Sequence, residues 1–198
     1  VDSMKWFYDL PIARKLAVGF ALTTLMTIAL GVFALVRLNG ANAQLASMAS
    51  NDIPSVEHLG EVRSLLGEFR TYELAQLSML DQPDKVADYN KRMDTTAKAA
   101  PDELAAYAAL PAGEEEKKLY GHVAADLDAY FTANTDMRAA IAAGDGVLAQ
   151  QISDDRSRPA RRKMFDDLKT LGAFSSKLMQ ARIDEANATH HSSVVAII

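Results

Sequence analysis

The chain has 198 residues, of which 49% are hydrophobic and 24% are charged, and its net charge is -5. The hydrophobic content is enough for a packed core, and the acidic balance excludes the concentrated basic surface that binds nucleic acid. Only 7% of the residues are aromatic and none is cysteine, which excludes a disulfide framework and thiolate metal sites. Because Ala, Leu, Met and charged helix formers dominate, the composition predicts an all-α protein.

The first predicted element is a membrane span at residues 16–36, which carry no charged side chain. The stretch matches the roughly 20 residues that cross a hydrocarbon core. A buried helix of a soluble protein would show a recurring polar face, and only Thr23, Thr24 and Thr27 interrupt this one. A cleaved signal peptide has a shorter apolar core of roughly 7–15 residues. A retained transmembrane helix is therefore predicted.

Flanking charges orient this span. Lys5, Arg14 and Lys15 precede it and only Arg37 closely follows, so the positive-inside rule places the N-terminus in the cytoplasm. Trp6–Tyr8 are expected at the cytoplasmic interface. The segment after the span is therefore expected on the outer side of the membrane.

The two ends of the chain carry weaker signals. Val1–Ser3 precede Met4 and resemble a cloning remnant, while the apolar run Val194–Ile198 resembles the beginning of a second span. A frayed hydrophobic tail is the alternative for that run. The predicted organisation is a cytoplasmic segment 1–15, a transmembrane helix 16–36, a periplasmic domain 37–192 and a truncated second span 193–198.

Turn signals divide the periplasmic segment into four helical stretches. They occur at residues 81–84, 110–113 and 144–146, and each contains proline or glycine. Short connections make sequential helices antiparallel. The predicted fold is an up-down-up-down antiparallel four-helix bundle, whose first helix continues from the transmembrane helix.

Heptad spacing predicts the inward face of each helix. On the first helix it gives a seam that places two arginines, Arg63 and Arg70, inside the bundle. Pro54 and Pro159 are expected to bend the first and fourth helices. The other inward positions predicted for the first helix are Leu45, Ala49, Asp52, Val56, Leu59, Leu66, Glu73, Leu77 and Leu80.

Catalytic and metal-binding signals are weak. The sequence has no phosphate-binding glycine loop, nucleophile motif or H-E-x-x-H motif. His190 and His191 lack an evident third ligand and are interpreted as solvated interface residues. We therefore expect no enzymatic activity, no catalytic residue, no metal site and no cofactor.

The two inward arginines lead to a binding hypothesis. A guanidinium group in an apolar seam is costly unless an anion meets it. Glu73, one turn from Arg70, is one possible internal partner. The other interpretation is a cleft in which Arg63 and Arg70 hold a small carboxylate through forked hydrogen bonds.

Heights along the bundle suggest neighbours for these arginines. Arg70 lies two to three turns from the 81–84 turn. Taken singly, each neighbour is interpreted as ordinary packing; together they predict a polar pocket inside the bundle. The candidates at this level are Thr96 on the second helix, Tyr130 and Asn134 on the third, and Arg161 on the fourth.

The order of these parts resembles methyl-accepting chemotaxis proteins with a four-helix-bundle ligand domain. The resemblance lies in Leu10–Ile12 before the span, Asp52–Val56 after it, and then Arg63 and Arg70. It implies a homodimer in the bacterial inner membrane, with residues 37–192 in the periplasm. Such a dimer binds a small organic acid or amino acid and passes a helix shift across the membrane to a cytoplasmic kinase. In this family, arginines of the first helix commonly hold the ligand carboxylate.

Alternatives remain at this stage. The same bundle occurs in sensor kinases and cyclases, so a kinase or cyclase sensor is the alternative to a chemoreceptor. A bundle that binds a periplasmic protein instead of a small molecule is another. Whether ligand binds within one bundle or between two is open.

Overall fold

The computed structural model describes the backbone of residues 11–197 and the side chains of residues 11–188. Within that range the chain is helical apart from short connections, which confirms the all-α prediction. The interpretations of Val1–Ser3, Trp6–Tyr8, His190, His191 and the side chains of 194–198 lie outside the described residues. The helices are α1 (Ile12–Ser47), α2 (Ile53–Ser78), α3 (Pro83–Ala108), α4 (Glu114–Ala142), α5 (Gly146–Ile152) and α6 (Arg158–Ile197).

The chain divides into two compact units. Among the described residues, 47–185 form one unit, and 11–46 with 186–197 form the other. In the second unit, α1 contains no buried residue. Its apolar side chains are exposed, including Phe20 at 76% and Leu25 at 64%. By length and composition, this part of the Ile12–Leu77 helical run is the one candidate membrane span among the described residues.

In the unit 47–185 the helices form an antiparallel bundle, as cross-helix contacts show. His58 on α2 contacts Glu103 on α3 at 2.7 Å, whereas Gln76 reaches back to Asn90 at 2.6 Å. The same reversal relates α4 to α6, because Asp126 pairs with Lys163 and Asp136 with Arg156. The predicted up-down-up-down arrangement is confirmed, with α5 and α6 together forming the fourth bundle helix.

The core stripe of α2 repeats at alternating spacings of three and four residues. This is the heptad spacing that keeps one face of a helix against its neighbours. Aliphatic and aromatic members occupy its centre, and polar members lie towards both ends. Its buried residues are Asp52, Ser55, Leu59, Val62, Leu66, Phe69, Glu73 and Gln76.

Two π-helical turns interrupt the helices, at Met48–Asp52 and Ser153–Ser157. Each ends two residues before a proline, Pro54 or Pro159. Proline lacks an amide hydrogen and its ring collides with the carbonyl group four residues earlier, which a wider turn relieves. The departures from α geometry therefore occur where the sequence places prolines.

The connection between α4 and α5 has a well-defined stop and restart. Gly144 adopts φ 78°, a left-handed conformation suited to glycine, and its amide donates to the carbonyl oxygen of Ile141. Asp145 then caps α5 by accepting a hydrogen bond from the Leu148 amide at 2.9 Å. The turn signal at 144–146 is thereby explained.

Candidate functional site

The two arginines of α2 lie on the surface of the bundle, and the prediction that they face inward is wrong. Arg63 and Arg70 are exposed, while Val62 and Phe69 occupy the interior. The predicted seam and the observed core stripe share every seventh residue of α2. Between the shared residues, the prediction placed the fourth following residue inward, whereas the structure places the third following residue inward. Exposure removes the cost of burying a guanidinium group, so neither arginine needs an internal partner.

Arg70 lines an open depression of about 530 Å³ together with four residues of α6, two of which are arginines. The complete lining is Arg70, Arg161, Arg162, Phe165 and Asp166. The lining therefore carries three guanidinium groups and one carboxylate, with Arg70 on α2 and the other four residues on α6. The sequence identified Arg70 and Arg161, but it missed Arg162, Phe165 and Asp166, for which the basic run at 156–163 was the available signal.

The pKa of Arg161 is affected by burial and by the neighbouring arginines. Partial burial lowers its pKa below the ordinary value, and the neighbouring charge of Arg70 lowers it further, followed by that of Arg162. Glu73 acts on Arg161 in the opposite direction. Like charges held near one another attract an anion, because its binding relieves their repulsion.

Arg63 lines an adjoining cavity of about 330 Å³. This cavity is mostly apolar and includes Lys169 and Phe165, the latter also lining the arginine depression. Gly60 and Gly172 have no atom within 4 Å of where a Cβ would lie. Arg63 and Arg70 thus face the same side of the bundle but line different cavities.

Glu73 lies in the core beside this depression and is only 3% exposed. Its Oε2 accepts a hydrogen bond from the Tyr130 hydroxyl at 2.6 Å, and its Oε1 accepts one from the Ser157 hydroxyl. Within the described part of the chain, neither Arg70 nor Arg161 makes an ion pair with it. The expected alternative, an Arg70–Glu73 salt bridge, is therefore not formed.

Tyr130 is a completely buried member of this group. Burial raises the pKa of its phenol far above the ordinary value, and the charge of Glu73 raises it further, whereas Arg161 and Arg70 act in the opposite direction. Tyr130 therefore stays protonated and donates to Glu73. Tyr130 has a structural role in this arrangement. Its contact with a ligand remains a prediction.

Thr96 and Asn134 are buried but do not form a polar pocket with the arginines. The Thr96 hydroxyl donates to the Met93 carbonyl of its own helix at 3.0 Å, and the Asn134 amide contacts the Met93 sulfur at 3.7 Å. Of the predicted site residues, the structure brings together Arg70 and Arg161 and places Arg63 beside them. Tyr130 lies in the core next to Glu73, and Thr96 and Asn134 are buried without contacting the arginines.

A second polar cluster lies where the chain enters and leaves the bundle. Tyr107 donates to Glu116 at 2.6 Å and contacts Ser175 at 3.1 Å. Nearby, Arg182 donates to Oδ1 of the buried Asp52. A cavity of about 10 Å³ joins these groups, and the buried Oδ2 of Asp52 has no protein partner. This is room for about one water molecule, so the cluster is explained as structural.

Comparison with known proteins identifies the chain's class. A family model described as "Four helix bundle sensory module for signal transduction" matches residues 9–190. The chain belongs to this family of sensory modules. The match confirms the resemblance drawn from the sequence. The arginine depression therefore lies on the surface of a sensory module.

One solved structure similar to the sensory module is a "Periplasmic sensor domain of sensor histidine kinase". The two are 20% identical with a TM-score of 0.54, and the alignment covers 72% of this chain and 92% of the other. This likeness confirms the fold. No curated protein matches the module.

Proposed function

We propose that this sensory module is the extracytoplasmic ligand-sensing part of a transmembrane chemoreceptor and that it binds a small carboxylate in the arginine depression. The observation that carries the proposal is the lining itself, three guanidinium groups and one carboxylate. Guanidinium forks bind carboxylates through paired, charge-assisted hydrogen bonds. Phe165 offers an apolar face for the carbon skeleton of an organic acid or amino acid.

The route to signalling is a helix shift. Arg161, Arg162 and Phe165 of the depression belong to α6. This helix continues towards the predicted second span. A ligand that draws α2 and α6 together changes the position of α6 relative to the rest of the bundle, and packed helices slide more readily than they bend. From the resemblance to chemoreceptors we also infer a homodimer in the inner membrane, with the bundle in the periplasm.

Thermal denaturation of the purified chain with dicarboxylates, tricarboxylates, aromatic acids and amino acids tests this proposal. A ligand at about a hundred times its Kd adds roughly 2.7 kcal/mol of stability. We expect a rise of a few degrees in Tm. Arg70→Ala and Arg161→Ala should each abolish the rise. Arg63→Ala should weaken it if the ligand extends into the adjoining cavity.

Arg158→Ala is the matched control, since Arg158 is an exposed arginine on the same helix that pairs with Asp154 instead of lining the depression. It should retain the full ligand response. If no acid stabilises the wild-type protein, or if Arg158→Ala removes the response as completely as Arg161→Ala, the carboxylate site is refuted.

The second candidate is a sensor module of a membrane histidine kinase. The similar periplasmic sensor domain favours it, because that domain shares the bundle fold and belongs to such a kinase. The ligand site is the same under both candidates. Ligand-dependent autophosphorylation by the complete gene product would favour the kinase, whereas ligand-dependent swimming bias would favour the chemoreceptor.

A further inference from the structure

The buried carboxylate of Glu73 has no cation paired with it in the described structure, and its surroundings explain how it is tolerated. Two hydroxyl groups, those of Tyr130 and Ser157, donate to it. Hydroxyl donors satisfy its oxygen atoms but bring no compensating charge. A buried ion of this kind depends on more distant charges of opposite sign.

The helical spacing places those charges close by. Arg70 precedes Glu73 by three residues on α2, and Arg161 follows Ser157 by four residues, entering α6 from the preceding π-helical turn. Residues three or four apart on a helix are neighbours on one side. Arg70 and Arg161 each lie one turn from a residue that belongs to the Glu73 cluster. The charge of Glu73 acts directly on Arg161, and both arginines act on Tyr130.

Helix α3 presents the uncharged Met93 and Thr96 to the core. Helix α4 contributes Tyr130, and near the surface its Asp136 pairs with Arg156 at 2.7 Å. Glu73 is thus the internal counter-anion of the arginine depression.

We propose that Glu73 determines which ligand charge the depression accepts. The inference rests on the proposed carboxylate site. With Glu73 ionised, the three arginines are opposed by the two carboxylates of Asp166 and Glu73, which leaves a single net positive charge. Such a site balances an anion with one net negative charge and disfavours anions of higher charge. Removing the Glu73 charge should shift the preference towards dianions and trianions.

The test compares the wild-type chain with Glu73→Gln, using butyrate, succinate and propane-1,2,3-tricarboxylate as ligands of similar size carrying one, two and three carboxylates. Calorimetric titrations are run at matched ionic strength, because salt screens the effect. We expect Glu73→Gln to increase affinity by roughly fivefold for the dianion and by more for the trianion, with the smallest gain for the monoanion.

Ser157→Ala is the control for a structural effect. It removes a hydrogen bond to the same carboxylate but keeps the charge, so the order of affinities should stay that of the wild type. Equal gains for all three ligands in Glu73→Gln, or the same gains in Ser157→Ala, would overturn the inference.

A ligand-free measurement separates this inference from the proposed function. A double-mutant cycle with Arg161→Gln and Glu73→Gln should show a favourable coupling of about fivefold in the folding equilibrium constant. Absence of coupling refutes the role of Glu73 even if acids bind. Coupling in a protein that binds none of the three acids refutes the carboxylate site, and the charge selection with it.

Discussion

Buried tyrosine hydroxyl groups make side-chain hydrogen bonds to carboxylates inside this bundle. Tyr107 and Tyr130 are almost completely buried, and each donates to a buried carboxylate. Burial is the largest cause that raises the pKa of both phenols, and the carboxylates Glu116 and Glu73 raise them further. Both tyrosines thus remain protonated in the folded protein at pH values where free tyrosine ionises.

This predicts a loss of stability at alkaline pH. Above the ordinary tyrosine pKa of 10.0, the unfolded chain releases protons that the folded chain keeps, so the unfolded state is favoured as pH rises. Each tyrosine adds a slope of up to about 1.4 kcal/mol per pH unit. Urea unfolding between pH 8 and 11 should show a shallower decline for Tyr107→Phe and Tyr130→Phe than for the wild type. Parallel declines in all three proteins would contradict the assignment.

At the scale of secondary-structure elements, the start of α2 is linked to α6 by the pair formed by Asp52 and Arg182. The Asp52 side chain is 6% exposed and that of Arg182 is 42% exposed. Arg182→Ala leaves a buried carboxylate without its cation. Because the arginine is partly solvated, we expect a loss of about 2 kcal/mol, below the 3–5 kcal/mol of fully buried pairs.

Chemical denaturation of Arg182→Ala measures this loss. Adding Asp52→Asn to that variant should restore part of the stability, because the uncompensated charge is removed. Arg92→Ala disrupts an exposed pair with Asp88 on α3 and serves as the comparison, with little expected effect. Equal losses in the Arg182 and Arg92 variants would show that the Asp52 contact does not matter.

The proline after the π-helical turn of the fourth bundle helix is predicted to act in signalling. Pro159 cannot donate an amide hydrogen bond, so Pro159→Ala permits a regular α-helix through residues 153–157. That change would move Ser157 relative to Glu73 and alter the register of α6. We expect signalling by the complete receptor in cells to change more than ligand affinity, as measured by dose–response curves and titration. Unchanged signalling would remove Pro159 from the mechanism.

At the scale of the whole molecule, the bundle unit has its own core, formed by residues from α2, α3, α4 and α6. Residues 40–190 are therefore predicted to be a soluble helical protein in equilibrium between monomer and dimer, since this segment lacks the predicted spans that would support the proposed dimer. Ligand should shift this equilibrium if it binds between bundles and leave it unchanged if it binds within one. Sedimentation at several concentrations measures it; a tight dimer at every concentration would contradict the prediction.

Local sequence determined much of this architecture. The uncharged stretch at 16–36 has no polar face to set against a core, and the structure buries none of α1. Proline and glycine at the three predicted turns prevent continuous helices, and the structure interrupts the bundle helices there. On α3 and α4, Thr96 and Tyr130 are buried, which matches their predicted position inside the bundle. These features depend on chemistry within a few residues, and so the sequence alone sufficed.

The orientation of the arginines was decided by tertiary structure. A helix with apolar residues every seven positions can place either the third or the fourth following residue inward, and on α2 that choice separates Phe69 from Arg70. The neighbouring helices determine this choice, because Phe69 packs edge-to-face on Tyr130 with ring centroids 5.3 Å apart. Likewise, Glu73 bonds to Tyr130, 57 residues away, instead of pairing with nearby Arg70. Contacts across such separations follow from the packing of whole helices, which no local spacing specifies.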